Sequence, residues 1–141
     1  MSSTMPAVSP LPALARMLDI LCTSAAAYLQ DASPWTGPNH SEFASLIRDM
    51  AADQRHYAER TARAIDDRDG LPTPASFPLA FSSINDLAAD YLVRHVTDLH
   101  RRDVEALRQC VSDLAEWPEL HTLAEEVLGN AIGHLEILEK V

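Results

Sequence analysis

The chain is short of the residues that several functions require. Among its 141 residues there is one lysine, Lys140; the other ten cationic side chains are arginine, against 21 acids, for a formal charge of −10. Such a balance repels phosphate backbones and anionic lipid, so neither nucleic acid nor a membrane surface is an expected partner. Cysteine is scarce too: Cys22 and Cys110 stand far apart and belong to no CxxC or Cys/His cluster, which argues against a zinc knuckle or a redox motif. Both read as small buried side chains in a reducing compartment. The longest early run without a charge, Ile20 to Gln30, falls well below the roughly 20 apolar residues that a spanning helix needs. The first fifteen residues carry no basic side chain and are interrupted by Pro6, Pro10 and Pro12, unlike a secretory leader. Cytoplasmic residence is the expectation.

Glycine-rich phosphate loops, a nucleophile elbow and an HExxH helix are absent from the sequence, and the serines have no partnered histidine. What is present is a single domain's worth of apolar residue, 47% of the chain, too little to divide between two cores. Residues 1–10 read as a flexible tail and 11–141 as one domain.

The nine prolines group in the tail, at Pro34 and Pro38, at Pro72, Pro74 and Pro78, and at Pro118. Proline disrupts a helix interior, so the four long stretches between these groups are the candidate helices. The first, about Leu11 to Gln30, aligns Leu14, Leu18, Leu21, Ala25 and Tyr28 on one face. Asn39 with Glu42 opens the second, which carries Phe43, Leu46, Met50, Tyr57, Thr61 and Ile65 before Gly70 ends it. The third starts near Ser83 and runs to about Glu116 with Ile84, Leu87, Tyr91, Leu99, Ala106 and Cys110 in a stripe. Pro118 opens the fourth, whose stripe is Leu120, Ala124, Val127, Ala131 and Leu138. Four amphipathic helices predict an all-α four-helix bundle.

The link from Arg68 to about Ser82 holds about 13 extended residues and covers about 40 Å, close to the length of a 28-residue helix. A link of that reach permits the second and third helices to run parallel, whereas short links join antiparallel neighbours. One long crossover between helices two and three is the connectivity of ferritin-like bundles.

Several short motifs agree with that connectivity. Gly37-Pro38-Asn39-His40, Ala58-Glu59-Arg60, Asp69-Gly70-Leu71-Pro72, and Phe77-Pro78-Leu79 leading into Ile84-Asn85-Asp86-Leu87 resemble the second-helix, crossover and third-helix region of the mini-ferritins, the DNA-protecting, Dps-like branch of the ferritin-like superfamily. The similarity covers roughly residues 14 to 138. It implies an iron-oxidising site shared between two subunits and self-association through the first two helices, as a homodimer or a higher homo-oligomer. Transferred position by position, most of the implied ligands are missing. Arg55 stands four residues before Glu59, where the family has an acid; Ala44 replaces the acid after His40; Tyr28 replaces the first-helix histidine. Arg55 and Glu59 read instead as an i, i+4 ion pair. The family's DNA-binding extension is lysine-rich, whereas residues 1–12 contain neither Lys nor Arg.

The other ferritin-like centre lies inside the bundle and takes carboxylates with Glu-x-x-His pairs, since hard bridging oxygens and imidazole ends suit di-iron. Asp53 and His56, His95, and His134 supply fragments of such a set, enough for a mononuclear iron or zinc site. Against it stands the commoner use of a seam histidine as a hydrogen-bonded core residue, with Asp53 and His56 a polar pair that fixes register. His100 and His121 read as solvated, and His40 as a capping or interface residue. The expectation is a ferritin-like bundle without an intact ferroxidase centre and with no cofactor, non-catalytic and oligomeric; the alternative is a metal-binding protein using Asp53, His56, His95 and His134, at most a weak ferroxidase. The acidic surplus reads as a solvated surface.

Overall fold

The computed structural model describes residues 9–32, 41–71 and 89–141. They form five helices, α1 (Leu11–Cys22), α2 (Ala25–Ala32), α3 (Ser41–Asp66), α4 (Ala89–Asp113) and α5 (Pro118–Leu138), and no strand among the described residues. The expected all-helical class holds. The Asn39 cap, His40, the crossover beyond Leu71 and the third-helix start at Ser83 lie outside the described residues.

One expected helix is two. The stretch from Leu11 to Gln30 breaks at Thr23 and Ser24, with neither proline nor glycine at the break. Thr23 closes α1, because its N–H and its Oγ1 both donate to the Asp19 carbonyl, at 2.9 and 2.7 Å. Ser24 then opens α2: its Oγ accepts from the Ala27 N–H at 3.0 Å, which satisfies an amide that the new helix would otherwise leave bare. The same hydroxyl donates to Gln54 Oε1 on α3 at 2.6 Å in a buried bond. A local cap and a long-range bond from one side chain outweigh the alanine-rich helix propensity around them.

The end of α3 also differs in detail. The left-handed residue is Asp69, with φ of 59°, and Gly70 has no positive φ. Asp is among the few non-glycine types that tolerate this region. The Gly70 N–H returns to the Ile65 carbonyl at 3.0 Å. Glycine is needed at 70 for space, since a Cβ there would lie 2.7 Å from Leu11 Cδ2 and 2.8 Å from Ile65 Cγ2. At α5, Pro118 occupies the first helical turn as expected.

Two apolar clusters fill the interior and reveal the direction of each helix. The larger joins Leu14, Met17 and Leu21 of α1, Ile65 at the end of α3, Val104, Leu107 and Cys110 of α4, and Leu120 to Ala131 of α5. The smaller joins Ala25, Ala26 and Leu29 of α2, Phe43 to Met50 at the start of α3, Leu92 and Val96 at the start of α4, and Leu138 at the end of α5. The first arm (α1 and α2) and α5 therefore run from the larger cluster to the smaller, while α3 and α4 run the other way. Thus α3 and α4 are parallel to each other.

The α5 stripe is buried at every expected position, together with Leu123 and His134. On α4 the expected stripe is displaced. Tyr91 is 57% exposed, and the buried line is Leu92, Val96, His100, Val104, Leu107 and Cys110, one residue on from Tyr91 and Leu99. No helix of the described residues is long and apolar enough to cross a membrane.

A candidate polar site at the waist of the bundle

Between the two clusters the interior turns polar. The first component is the Ser24–Gln54 bond, made by side chains 4% and 7% exposed. The second is centred on Asp53. Its Oδ2 accepts from Asn130 Nδ2 at 2.9 Å and from His134 Nε2 at 2.9 Å, so α3 is tied to two successive turns of α5. The ring of His134 is enclosed, its side chain only 10% exposed, whereas Asp53 reaches solvent with 45% of its side chain exposed. A carboxylate only accepts, so Nε2 carries the proton that it shares with Asp53. The other ring nitrogen of His134, Nδ1, is buried and has no hydrogen-bond partner among the described residues.

The third component is His100 on α4. Its Nε2 donates to the Ala131 carbonyl on α5 at 2.8 Å, one turn before His134. Burial pushes its pKa below the ordinary histidine value; the Ala131 bond opposes this, and nearby His134 adds to the lowering. His100 is thus held neutral. The expectation of a solvated His100 is corrected: the residue is 4% exposed, because it lies four residues from both Val96 and Val104 on the buried face. Its neighbours Asp98, Arg101 and Arg102 made the local sequence look like surface. His121 is partly exposed, with Nδ1 3.3 Å from Glu125.

The four expected ligands are not brought together as a set. Asp53 and His134 meet; His56 is exposed, its ring edge-on to Tyr57 at 5.2 Å, and His95 is half-buried on α4. Among the described residues no group of three or more His, Cys, Asp or Glu is placed to share a metal ion. What the waist offers is hydrogen-bonded imidazole, amide and hydroxyl around the Asp53 carboxylate.

A carboxylate that sequence reasoning missed lies nearby. Asp103 on α4 is half-buried, and burial, with the Asp19 charge on α1 adding to it, pushes its pKa up to about 7. Its signal was available: it follows His100 by one helical turn. The cysteines need a correction as well. Cys110 is buried but Cys22 is exposed, and both are free. Desolvation raises both thiol pKa values, with Asp19 adding to the effect on Cys22, so neither is an activated nucleophile. Arg55 and Glu59 are both exposed and form no ion pair with each other; the α3 bridge is Arg60 to Glu126 of α5, bidentate at 3.0 and 3.2 Å.

Set against known protein families, curated proteins and solved structures, the chain matches none of them.

Proposed function

We propose that this chain is a ferritin-like four-helix bundle without an intact ferroxidase centre, acting as a non-catalytic oligomeric protein of the stress or interaction type. The composition of the waist carries the reading. A di-iron bundle needs carboxylates from facing helices at its midplane, and here Asp53 of α3 is engaged by Asn130 and His134, while Ser24 faces Gln54 and His100 faces a backbone carbonyl. The parallel sense of α3 and α4 supports the ferritin-like part, because a parallel second and third long helix is the arrangement of bundles of that connectivity.

Self-association follows from the family resemblance, with a homodimer as the simplest form and the surface of the first arm and α3 as its seat. Light scattering of the full chain across micromolar concentrations should give a mass of at least two chains, and ferrous oxidation should run no faster than in buffer. A strictly monomeric mass would remove the oligomeric reading. Catalysed iron oxidation would remove the non-catalytic one.

A further inference from the structure

One groove runs against the acidic character of the surface. Between α1 and α4 lies an open depression of about 630 Å³, walled by Arg16 of α1 and by Arg101, Arg102, Glu105, Ala106 and Gln109 of α4. Positions 101, 102, 105, 106 and 109 recur at one- and four-residue spacing and so share a face of α4. Three of the chain's ten arginines therefore line a single groove, in a protein whose formal charge is −10.

The charges in the groove are not equivalent. Arg101 is engaged by two carboxylates, Asp98 at 2.7 Å and Glu139 at 2.8 Å, and Glu105, the groove's own acid, is engaged by Arg108 at 3.0 Å. Arg16 and Arg102 make no hydrogen bond or salt bridge among the described residues, although Asp19 stands three residues after Arg16 and Asp103 directly after Arg102. Those two acids act on each other instead: the Asp19 charge raises the pKa of Asp103, and no arginine counters it. The uncompensated charge of the groove is thus a pair of guanidiniums on adjacent helices.

We propose that this groove binds a small-molecule phosphate monoester, with Arg16 and Arg102 holding the phosphate dianion from the α1 and α4 walls and Ala106 lying against the organic part. Guanidinium suits that ligand, because its planar fork donates two parallel N–H bonds to phosphate oxygens and is more weakly hydrated than an ammonium. The volume falls in the range of small-ligand sites, about 300–1,000 Å³, which leaves room for an organic body beside the phosphate. Long polyanions and anionic bilayers meet the acidic surface as a whole. A single dianion in the groove meets chiefly the charges within a Debye length, about 8 Å at physiological salt.

The proposal rests on the charges of the groove and not on the ferritin-like reading, so a monomeric mass would sink that reading and leave this one standing. The test is calorimetric titration of the full chain with phenyl phosphate at about pH 7.5, where a phosphate monoester is mostly dianionic. Inorganic phosphate serves as competitor, and vesicles of phosphatidylcholine carrying phosphatidic acid form a separate arm. One site is expected, displaced by inorganic phosphate and weakened as salt is raised. Arg16→Gln and Arg102→Gln should each weaken binding at least about 10-fold, through loss of a charge-assisted hydrogen bond. Arg55→Gln removes the same charge from an exposed position on α3 and should change binding less than about 2-fold. Glu105→Gln removes the groove's acid and should tighten it. All four positions are exposed, so these substitutions leave the core untouched. No binding at millimolar phenyl phosphate, equal losses for Arg16→Gln and Arg55→Gln, or binding to the vesicles with none to phenyl phosphate overturns the proposal.

Discussion

The bundle has a dry end and a wet waist, and they are specified differently. At the dry end Leu14, Met17, Cys110 and Leu114 are each 0% exposed, and any apolar side chain of the right volume meets the requirement. At the waist Ser24, Gln54, Asp53, Asn130, His100 and His134 each have a named partner, and a change of one atom removes a bond. Apolar burial is non-directional and supplies most of the stabilisation. The polar waist adds less but sets which residues oppose one another.

The comparison predicts its own hierarchy. The largest loss should come from the dry end: Leu114→Ala should cost about 2–5 kcal/mol, because a fully buried leucine leaves a cavity that its neighbours fill only in part, and urea denaturation measures it. A loss below 1 kcal/mol would mean that the end is loosely packed. Ser24→Ala removes a helix cap and leaves Gln54 Oε1 buried without its donor, for about 1–3 kcal/mol together. Calorimetry should show a lowered transition; an unchanged one would mean that Ala25 to Ala32 simply joins α1.

The smallest effect depends on pH. Asp103 has a folded pKa of about 7, raised above its ordinary 3.8. The folded state therefore binds its proton more tightly than the unfolded state does. Its contribution is intact below pH 4 and is lost as pH rises through 7. Asp103→Asn, which cannot ionise, should make the protein more stable at pH 8 by about 1–2 kcal/mol and flatten the decline between pH 4 and 8. Parallel pH profiles for the two proteins would show that Asp103 is solvated.

Sequence periodicity served the dry regions better than the wet ones, for a physical reason. On α5 the apolar residues alone mark the buried face, so Leu120, Ala124, Val127, Ala131 and Leu138 were legible. On α4 the buried face includes His100 and the exposed face includes Tyr91, so choosing side chains by hydropathy shifts the stripe by a residue. Polar residues that are buried because they have partners look like surface until the partner is known. The α1/α2 break was hidden in the same way, since Ser24 caps α2 locally but is buried against Gln54 of another helix. Seam spacing singles out Asp53 and His134 but pairs Asp53 with His56, not His134; the roles of Asn130 and Ala131 are not legible at all, being set by the turn of α5 that α3 and α4 meet.

The divided first arm has a further consequence, for the order of assembly. Isolated helices shorter than about 12–15 residues are marginal in water, and α1 and α2 have 12 and 8. Neither persists without the surface that α3 and its neighbours provide. By contrast, α4 and α5 are 25 and 21 residues long, lie antiparallel and are joined through only Leu114 to Trp117, so their contacts close over short loops and form early. The hypothesis that follows is a folding sequence in which the α4/α5 hairpin comes first and the N-terminal arm docks last and opens first. Amide exchange as slow in α1 and α2 as in α5 would refute it.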